Sequence, residues 1–378
     1  MAKCRLLTLS GHSVRAAECQ LLGVKRTLCR HADLWPLLTQ SILARGGRSF
    51  QKPTSLSSLS SLLVELPDGF MEGMQNAPAL AQPMTAGPAN FFPGFRRQAI
   101  QTSGTTINIV TGGHGPPVLL LHGYPQTHIE WRKVAPDLAK SYTLVIPDLR
   151  GYGDSGKPPA GENHINYSKR SMALDQVEVM EKLGYRQFAV VSHDRGSRVA
   201  HRLALDHPNR LTKLVLMDIC PTHYMYKTAD RQFASGYFHW FFLIQSPPFP
   251  ETLIGNNVDA FLKQFMGPVM PKFIEPEAYV EYRRCFSDPA AIHCSCEDYR
   301  AAASIDLVHD EADMDRTVEC PVLVLWGANG LVGKKYDVLA VWRDRARQVT
   351  GKALPSGHWL AEEVPVETLV EVKQFLAT

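Results

Sequence analysis

From Phe92 to the C-terminus, short apolar runs alternate with stretches of helical spacing. Thr105–Val110 alternates as a strand does and stops at Gly112-Gly113. Pro117–Leu121 is a continuous apolar run ahead of His122-Gly123, and Tyr142–Ile146 is another, ending at Pro147-Asp148. In Tyr167–Leu183 apolar residues recur at Ala173, Val177, Met180 and Leu183, the spacing of one helix face. Phe188–Val191 predicts a strand, Ser197–Leu205 a helix, and Leu211–Met217 and Pro321–Leu325 two more buried strands. Apolar strands alternating with helices predict an α/β fold, a mostly parallel sheet covered by helices on both faces. Between Pro221 and about Val308 the rhythm breaks. Aromatics crowd Tyr224, Tyr226 and Tyr237–Phe242, and Pro247-Pro248 follows. This stretch predicts a helical lid inserted between two strands. The boundaries are a first core part at 91–220, a lid at 221–310 and a second core part at 311–378.

Residues 1–90 differ. They are basic at first, Ser/Leu-rich at Ser55–Leu63, and rich in Ala, Pro and Met at Met71–Pro88, with no sustained strand or helix period. A poorly ordered extension is expected. It reads as an Arg-rich organelle transit segment, as a flexible extension, or, the favoured reading, as a start assigned too early, with the true start at Met71, Met74 or Met84.

Composition narrows the classes. In 378 residues, 45% hydrophobic and 20% charged, the net charge is only +3. That is ordinary globular composition and too little charge to argue for nucleic acid or an anionic membrane. No apolar run reaches the ~18 residues of a membrane span, so a cytoplasmic protein is expected, with organelle targeting by residues 1–52 left open. The eight cysteines lack metal-ligand spacing and read as free thiols. No metal and no cofactor are expected.

Ser192-His193-Asp194-Arg195-Gly196 lies where a buried strand passes into a helix. This is the small-x-nucleophile-x-Gly pattern of a nucleophile elbow. The tight turn lifts its central side chain above the sheet, at a helix N-terminus that favours a negative group. The occupant is Asp194. A serine there would attack acyl carbonyls, whereas a carboxylate attacks saturated carbon and forms an alkyl ester that water then cleaves. His122-Gly123-Tyr124-Pro125, after the second predicted strand, stands where the other half of an oxyanion hole is expected. The backbone N–H groups of Tyr124 and Arg195 would hold the oxyanion. His358, in Ser356-Gly357-His358-Trp359, is the expected general base. The segment after the penultimate strand, Trp326–Gly330, carries no carboxylate, so the acid that orients His358 is assigned to Asp218, at the end of the strand before the lid.

Together these residues resemble the fluoroacetate and haloacetate dehalogenases of the α/β-hydrolase superfamily. The resemblance runs from about Phe92 to the C-terminus. It is carried by Phe92–Phe95, His122–Gln126, Asp148–Ser155, His193–Arg198, Ala204–Pro208, Tyr237–Trp240, Cys296–Ala301 and Ser356–His358. It implies an α/β-hydrolase fold, with Asp194 as nucleophile, His358 as base and Asp218 as acid. It further implies that Arg195 and Arg198 bind the substrate carboxylate and that His239, Trp240 and Tyr299 hold the halide. Two arginines three apart at a helix start share a face and can grip a small carboxylate. Imidazole, indole and phenol are donors suited to a leaving halide. Two positions depart from the pattern. Ser192 stands where a glycine is expected, and Lys263–Gly267 lacks an expected tryptophan, which bears on pocket size and halogen preference.

The resemblance implies a small haloacid substrate, no nucleic-acid or membrane partner, and a homodimer. The expected reaction is two-step hydrolysis of a haloacetate to glycolate and halide. The nearest rival is an epoxide hydrolase using the same Asp194, His358 and Asp218, with Tyr299 and one of Tyr224, Tyr226 or Tyr237 protonating the epoxide. A non-catalytic ligand-binding homologue is the rival from another class.

Overall fold

The structure, a computed structural model, describes residues 90–266 and 271–378. The expectation for 1–90 therefore lies outside the described residues, all but Asn90. Eight strands form one sheet: β1 (Arg96–Gln101), β2 (Thr106–Gly113), β3 (Pro117–Leu121), β4 (Thr143–Pro147), β5 (Phe188–His193), β6 (Leu211–Met217), β7 (Val322–Gly327) and β8 (Val349–Leu354). Their spatial order is β1-β2-β4-β3-β5-β6-β7-β8. The first two pairings, β1 with β2 and β2 with β4, are antiparallel. Every later pairing is parallel.

The central strands owe their largely apolar sequences to burial on both faces. β5 is buried at every position, β3 at all but its first residue, and β6 at all but Thr212 and Lys213. The edges are different. β1 reads Arg-Arg-Gln-Ala-Ile-Gln and is largely exposed, and β8 reads Val-Thr-Gly-Lys-Ala-Leu with only Leu354 buried. Polar, charged edge strands discourage pairing with another chain.

Two long helices frame the elbow. Helix α1 (Lys169–Lys182) starts at Ser168, whose hydroxyl accepts the Ser171 N–H and satisfies one of the free donors of the first turn. Helix α2 (Asp194–Asp206) leaves β5 directly and is buried from Asp194 through Leu205. Its entry is tied to the loop after β3, because Gly196 N–H donates to the His122 carbonyl at 2.9 Å. A Cβ at position 196 would lie 2.5 Å from the Leu121 carbonyl oxygen and 2.6 Å from that of His122. The backbones approach too closely for any side chain. The hydroxyl of Ser192, where a glycine was expected, is absorbed without cost: it donates to the Val215 carbonyl at 2.7 Å and accepts from Ser197 at 3.0 Å.

The Asp148–Ser155 motif is scaffolding. Asp148 accepts from the His128 N–H, the Asn108 amide and the Asp154 N–H. Arg150 forms a bidentate pair with Asp175 of α1 at 2.7 and 2.8 Å. Leu149 N–H donates to His122 Nε2 at 2.9 Å, so the loops after β3 and β4 brace each other.

Between β6 and β7 lie eight described helices. Those that matter for the site are α3 (His239–Phe242), α4 (Val258–Met266) and α5 (Pro289–Ala302). Among the described residues no helix is long and apolar enough to cross a membrane.

The close approach at the elbow predicts that Gly196→Ala destabilises the protein by about 1–3 kcal/mol, the usual cost of overpacking. A urea titration would read this as a lower midpoint, and an unchanged midpoint would contradict the stated approach.

Candidate active site

Asp194 sits where β5 becomes α2, with φ at +41° and only 7% of its surface exposed. An L-residue in this left-handed region is strained, and such strain recurs at elbows that aim a side chain. Its Oδ2 accepts the Tyr124 N–H at 3.1 Å. Of the two expected oxyanion donors, Tyr124 is thus already in contact. Arg195 N–H makes no such bond among the described residues but lies in the first turn of α2, where N–H groups lack helical partners. Burial pushes the Asp194 carboxyl up, yet the positive charge offered by His358, Arg198, His193 and Arg195 outweighs it and holds the group down at about 2.

Asp218 directly follows β6, also with positive φ, at +52°. Its Oδ1 accepts the Gly327 N–H at 2.9 Å, and its Oδ2 lies 2.5 Å from His358 Nδ1. The last residue of β7, ahead of a turn with no carboxylate of its own, therefore contributes a backbone donor that holds the acid in place. The loop carrying His358 is fastened on both sides, because Glu363 accepts the Gly357 N–H at 2.7 Å and the Trp359 N–H at 2.9 Å. Tyr237 Oη lies 3.4 Å from His358 Nδ1.

The two arginines diverge in their surroundings. Arg195 is fully buried and grips Asp298 through Nε and Nη2, both at 2.8 Å, while lying 4.2 Å from the centre of the Tyr299 ring. Lys169 and the Tyr152 hydroxyl also bond Asp298. Burial raises the Asp298 carboxyl, but Arg195 and Lys169 hold it well below the usual range. Arg195 Nη1 remains buried and unpartnered. Arg198 has no carboxylate partner among the described residues. Its Nη1 donates to the Cys220 carbonyl at 3.2 Å and Thr222 Oγ1 at 3.0 Å, its plane covers Trp240 at 4.6 Å, and its Nε is buried without a partner. Burial draws the Arg198 pKa down, against the opposing pull of Asp194.

His239, Trp240 and Tyr299 come together from α3 and α5. The His239 and Tyr299 ring centres are 5.6 Å apart, and those of Trp240 and Tyr299 6.3 Å. Burial drives His239 down to about 3, against the pull of Asp194, so it is a neutral imidazole with one N–H to donate. Burial, with Asp194 second, lifts the Tyr299 phenol well above its ordinary value, so it too stays a donor. Where a lid tryptophan was expected, α4 offers Phe265, whose ring packs edge-on against His239 at 4.9 Å and Tyr124 at 5.5 Å.

The structure thus gathers Asp194, His358, Asp218, Tyr124, Arg195, Arg198, His239, Trp240 and Tyr299 in one place. Sequence reasoning missed Asp298, Glu363 and the buried pair Glu130–His193. Asp298 was within reach, since it adjoins Tyr299 in a quoted motif and a buried arginine needs a carboxylate. The described residues offer one cluster of candidate metal ligands, Asp154, Glu281 and Cys285, and there Arg97 and Arg284 already pair the carboxylates.

The sequence profile of the α/β-hydrolase fold matches residues 116–365. A fluoroacetate dehalogenase of Burkholderia sp. is 44% identical, over 76% of this chain and 95% of its own. A soluble epoxide hydrolase of Corynebacterium sp. strain C12 is 33% identical, over 73% and 95%. The solved structure of an α/β hydrolase from Nostoc sp. PCC 7120 is 58% identical, with a TM-score of 0.73, over 75% of this chain and 98% of that one. The eight-stranded, mostly parallel sheet, the elbow and these matches agree: the chain belongs to the α/β-hydrolase fold family, and within it to the fluoroacetate dehalogenase relatives that its motifs resemble.

Proposed function

We propose that the protein hydrolyses haloacetates, fluoroacetate and chloroacetate among them, to glycolate and halide through an ester on Asp194. The observation that carries this reading is the pair of buried arginines beside a buried carboxylate nucleophile, with Arg195 Nη1 and Arg198 Nε left without partners. Unpartnered buried donors on cations suit an anionic substrate, and a haloacetate carboxylate would complete them. The fluoroacetate dehalogenase relative supports the same assignment.

In the first step an oxygen of Asp194 attacks the α-carbon from the side opposite the halogen. The C–O bond forms as the C–X bond breaks, and its electron pair leaves with the halide. The N–H and O–H groups of His239, Trp240 and Tyr299 meet that charge, each donor worth about 2–4 kcal/mol at such a site. In the second step His358 takes a proton from water, and the water oxygen attacks the Asp194 carboxyl carbon. The Tyr124 N–H, already on Oδ2, holds the resulting oxyanion. Collapse expels the glycolate oxygen, which recovers the proton from His358, and Asp218 stabilises the imidazolium meanwhile.

Epoxide hydrolysis is the second reading, favoured by Tyr237 Oη at 3.4 Å from His358 and by Tyr299 across the site. A neutral epoxide, however, has no use for the arginines. We also propose a homodimer, as the resemblance implies; elution at the monomer size on a sizing column would reject it.

Halide release from fluoroacetate, chloroacetate and bromoacetate tests the reading. Release abolished by Asp194→Asn, with styrene oxide left untouched, is the expected result; diol from styrene oxide and no halide would transfer the protein to the epoxide hydrolases. The pH dependence should divide by step. Asp194 is held at about 2 and is already ionised above it, and His239 at about 3 is already neutral. The single-turnover halide burst should therefore be flat from about pH 5 to about pH 8. A burst that fell away within that range as the pH dropped would show that Asp194 is not held ionised.

A further inference from the structure

Glu130 is 1% exposed, lies in the short 3-10 helix His128–Lys133 that follows β3, and takes part in none of the chemistry above. Its Oε2 accepts the Gly123 N–H at 2.8 Å, one residue before the oxyanion donor. Its Oε1 lies 2.9 Å from His193 Nδ1, a close ion-pair contact rather than an aligned hydrogen bond. His193, fully buried, ends β5 directly before the nucleophile, and its Nε2 donates to the His358 carbonyl at 2.8 Å. The His193 and His358 rings are 4.6 Å apart. One carboxylate and one imidazole therefore join three separate segments: the oxyanion loop, the elbow and the loop of the general base. The arrangement is tight, because a Cβ on Gly123 would lie 2.8 Å from His193 Nδ1.

A buried carboxylate beside a buried imidazole is expensive unless each neutralises the other. Burial pulls His193 down, but Glu130, with Asp194 and Asp218 behind it, raises it to about 9. His193 is then a charged donor, and charge-assisted hydrogen bonds are the stronger kind. It grips His358 by the backbone while Asp218 grips the ring. We propose that Glu130 and His193 are positioning residues that fix the His358 backbone and so align its ring on the water that cleaves the Asp194 ester. This rests on the two-step reaction proposed above.

The first step does not need His358 as a base, and without His193 the charges of His358, Arg198 and Arg195 still hold Asp194 down, so the pair should matter chiefly for the second. With chloroacetate and the full-length protein, Glu130→Met should keep the halide burst of one equivalent per site. Its steady-state turnover should fall on the order of 100-fold, the effect of a small misalignment of a catalytic group, with the ester accumulating as a mass increase on the intact enzyme. Glu130→Gln keeps an acceptor for Gly123 and a donor for His193, and should turn over near the wild-type rate. His193→Phe, which keeps a ring and deletes the donor to His358, should behave as Glu130→Met does and serves if the latter does not fold. Burst and turnover falling together, or neither changing, would overturn the proposal. A separate readout needs no substrate: the downfield proton resonance of His358 Nδ1–H against Asp218 should be sharp in wild type and Glu130→Gln and broadened in Glu130→Met. If wild type releases no halide, the assigned reaction has failed while this resonance still decides the positioning role. A sharp signal in every variant would refute it.

Discussion

Keeping one buried carboxylate ionised is the constraint around which this site is built. In the proposed reaction Asp194 must be charged to attack carbon, and taking a carboxylate out of water costs several kcal/mol even after relaxation. The fold offsets this in several ways at once. The N-terminus of α2 aims its dipole and free N–H groups at the side chain. The Tyr124 N–H bonds it directly. Arg198, Arg195, His193 and His358 surround it with positive charge. The backbone strain that lifts it clear of the sheet, about 1–3 kcal/mol for a non-glycine residue in this region, is met by the Gly196–His122 hydrogen bond and by burial of nearly all of α2.

Positive charge gathered around a buried anion raises a second difficulty, since the cations are themselves desolvated. The two arginines solve it differently. Arg195 is neutralised by Asp298, which Lys169 and Tyr152 also engage, so it is a rigid fixture with one free N–H pair. Arg198 leans on carbonyl, hydroxyl and indole, with no carboxylate of its own. An incoming carboxylate would be its missing partner. The side proposed to hold the halide is built on the opposite principle: burial keeps His239 and Tyr299 neutral, so they can donate hydrogen bonds without attracting a second anion.

Much of this was legible in the sequence, and the physics explains which parts. β3 and β6 match their predicted bounds because strands buried on both faces are dominated by apolar residues, Leu214–Met217 in β6 and Val118–Leu121 in β3. β1 escaped notice because an exposed edge strand of arginine and glutamine has no such obligation. Asp194 stood out because the elbow imposes small residues at fixed spacing on its neighbours, as Gly196 shows. Asp298, Glu363, Glu130 and His193 carry no such imprint. The partners of Asp298 and His193 are remote in sequence, up to 165 residues away for the His193–His358 contact, and a buried charge pair constrains identity without creating any period. Asp218 lay between these cases, readable only because the usual position after β7 was empty.

The central claim, that the Asp194 carboxylate itself forms the bond to carbon, is tested most directly by oxygen tracing. One turnover of excess enzyme on chloroacetate in ¹⁸O-water, followed by digestion and mass spectrometry, locates the label. The structure predicts ¹⁸O in the peptide containing Asp194 and unlabelled glycolate, because water attacks the enzyme ester. Label in glycolate alone would mean that water attacks the substrate directly, and Asp194 would then be no nucleophile.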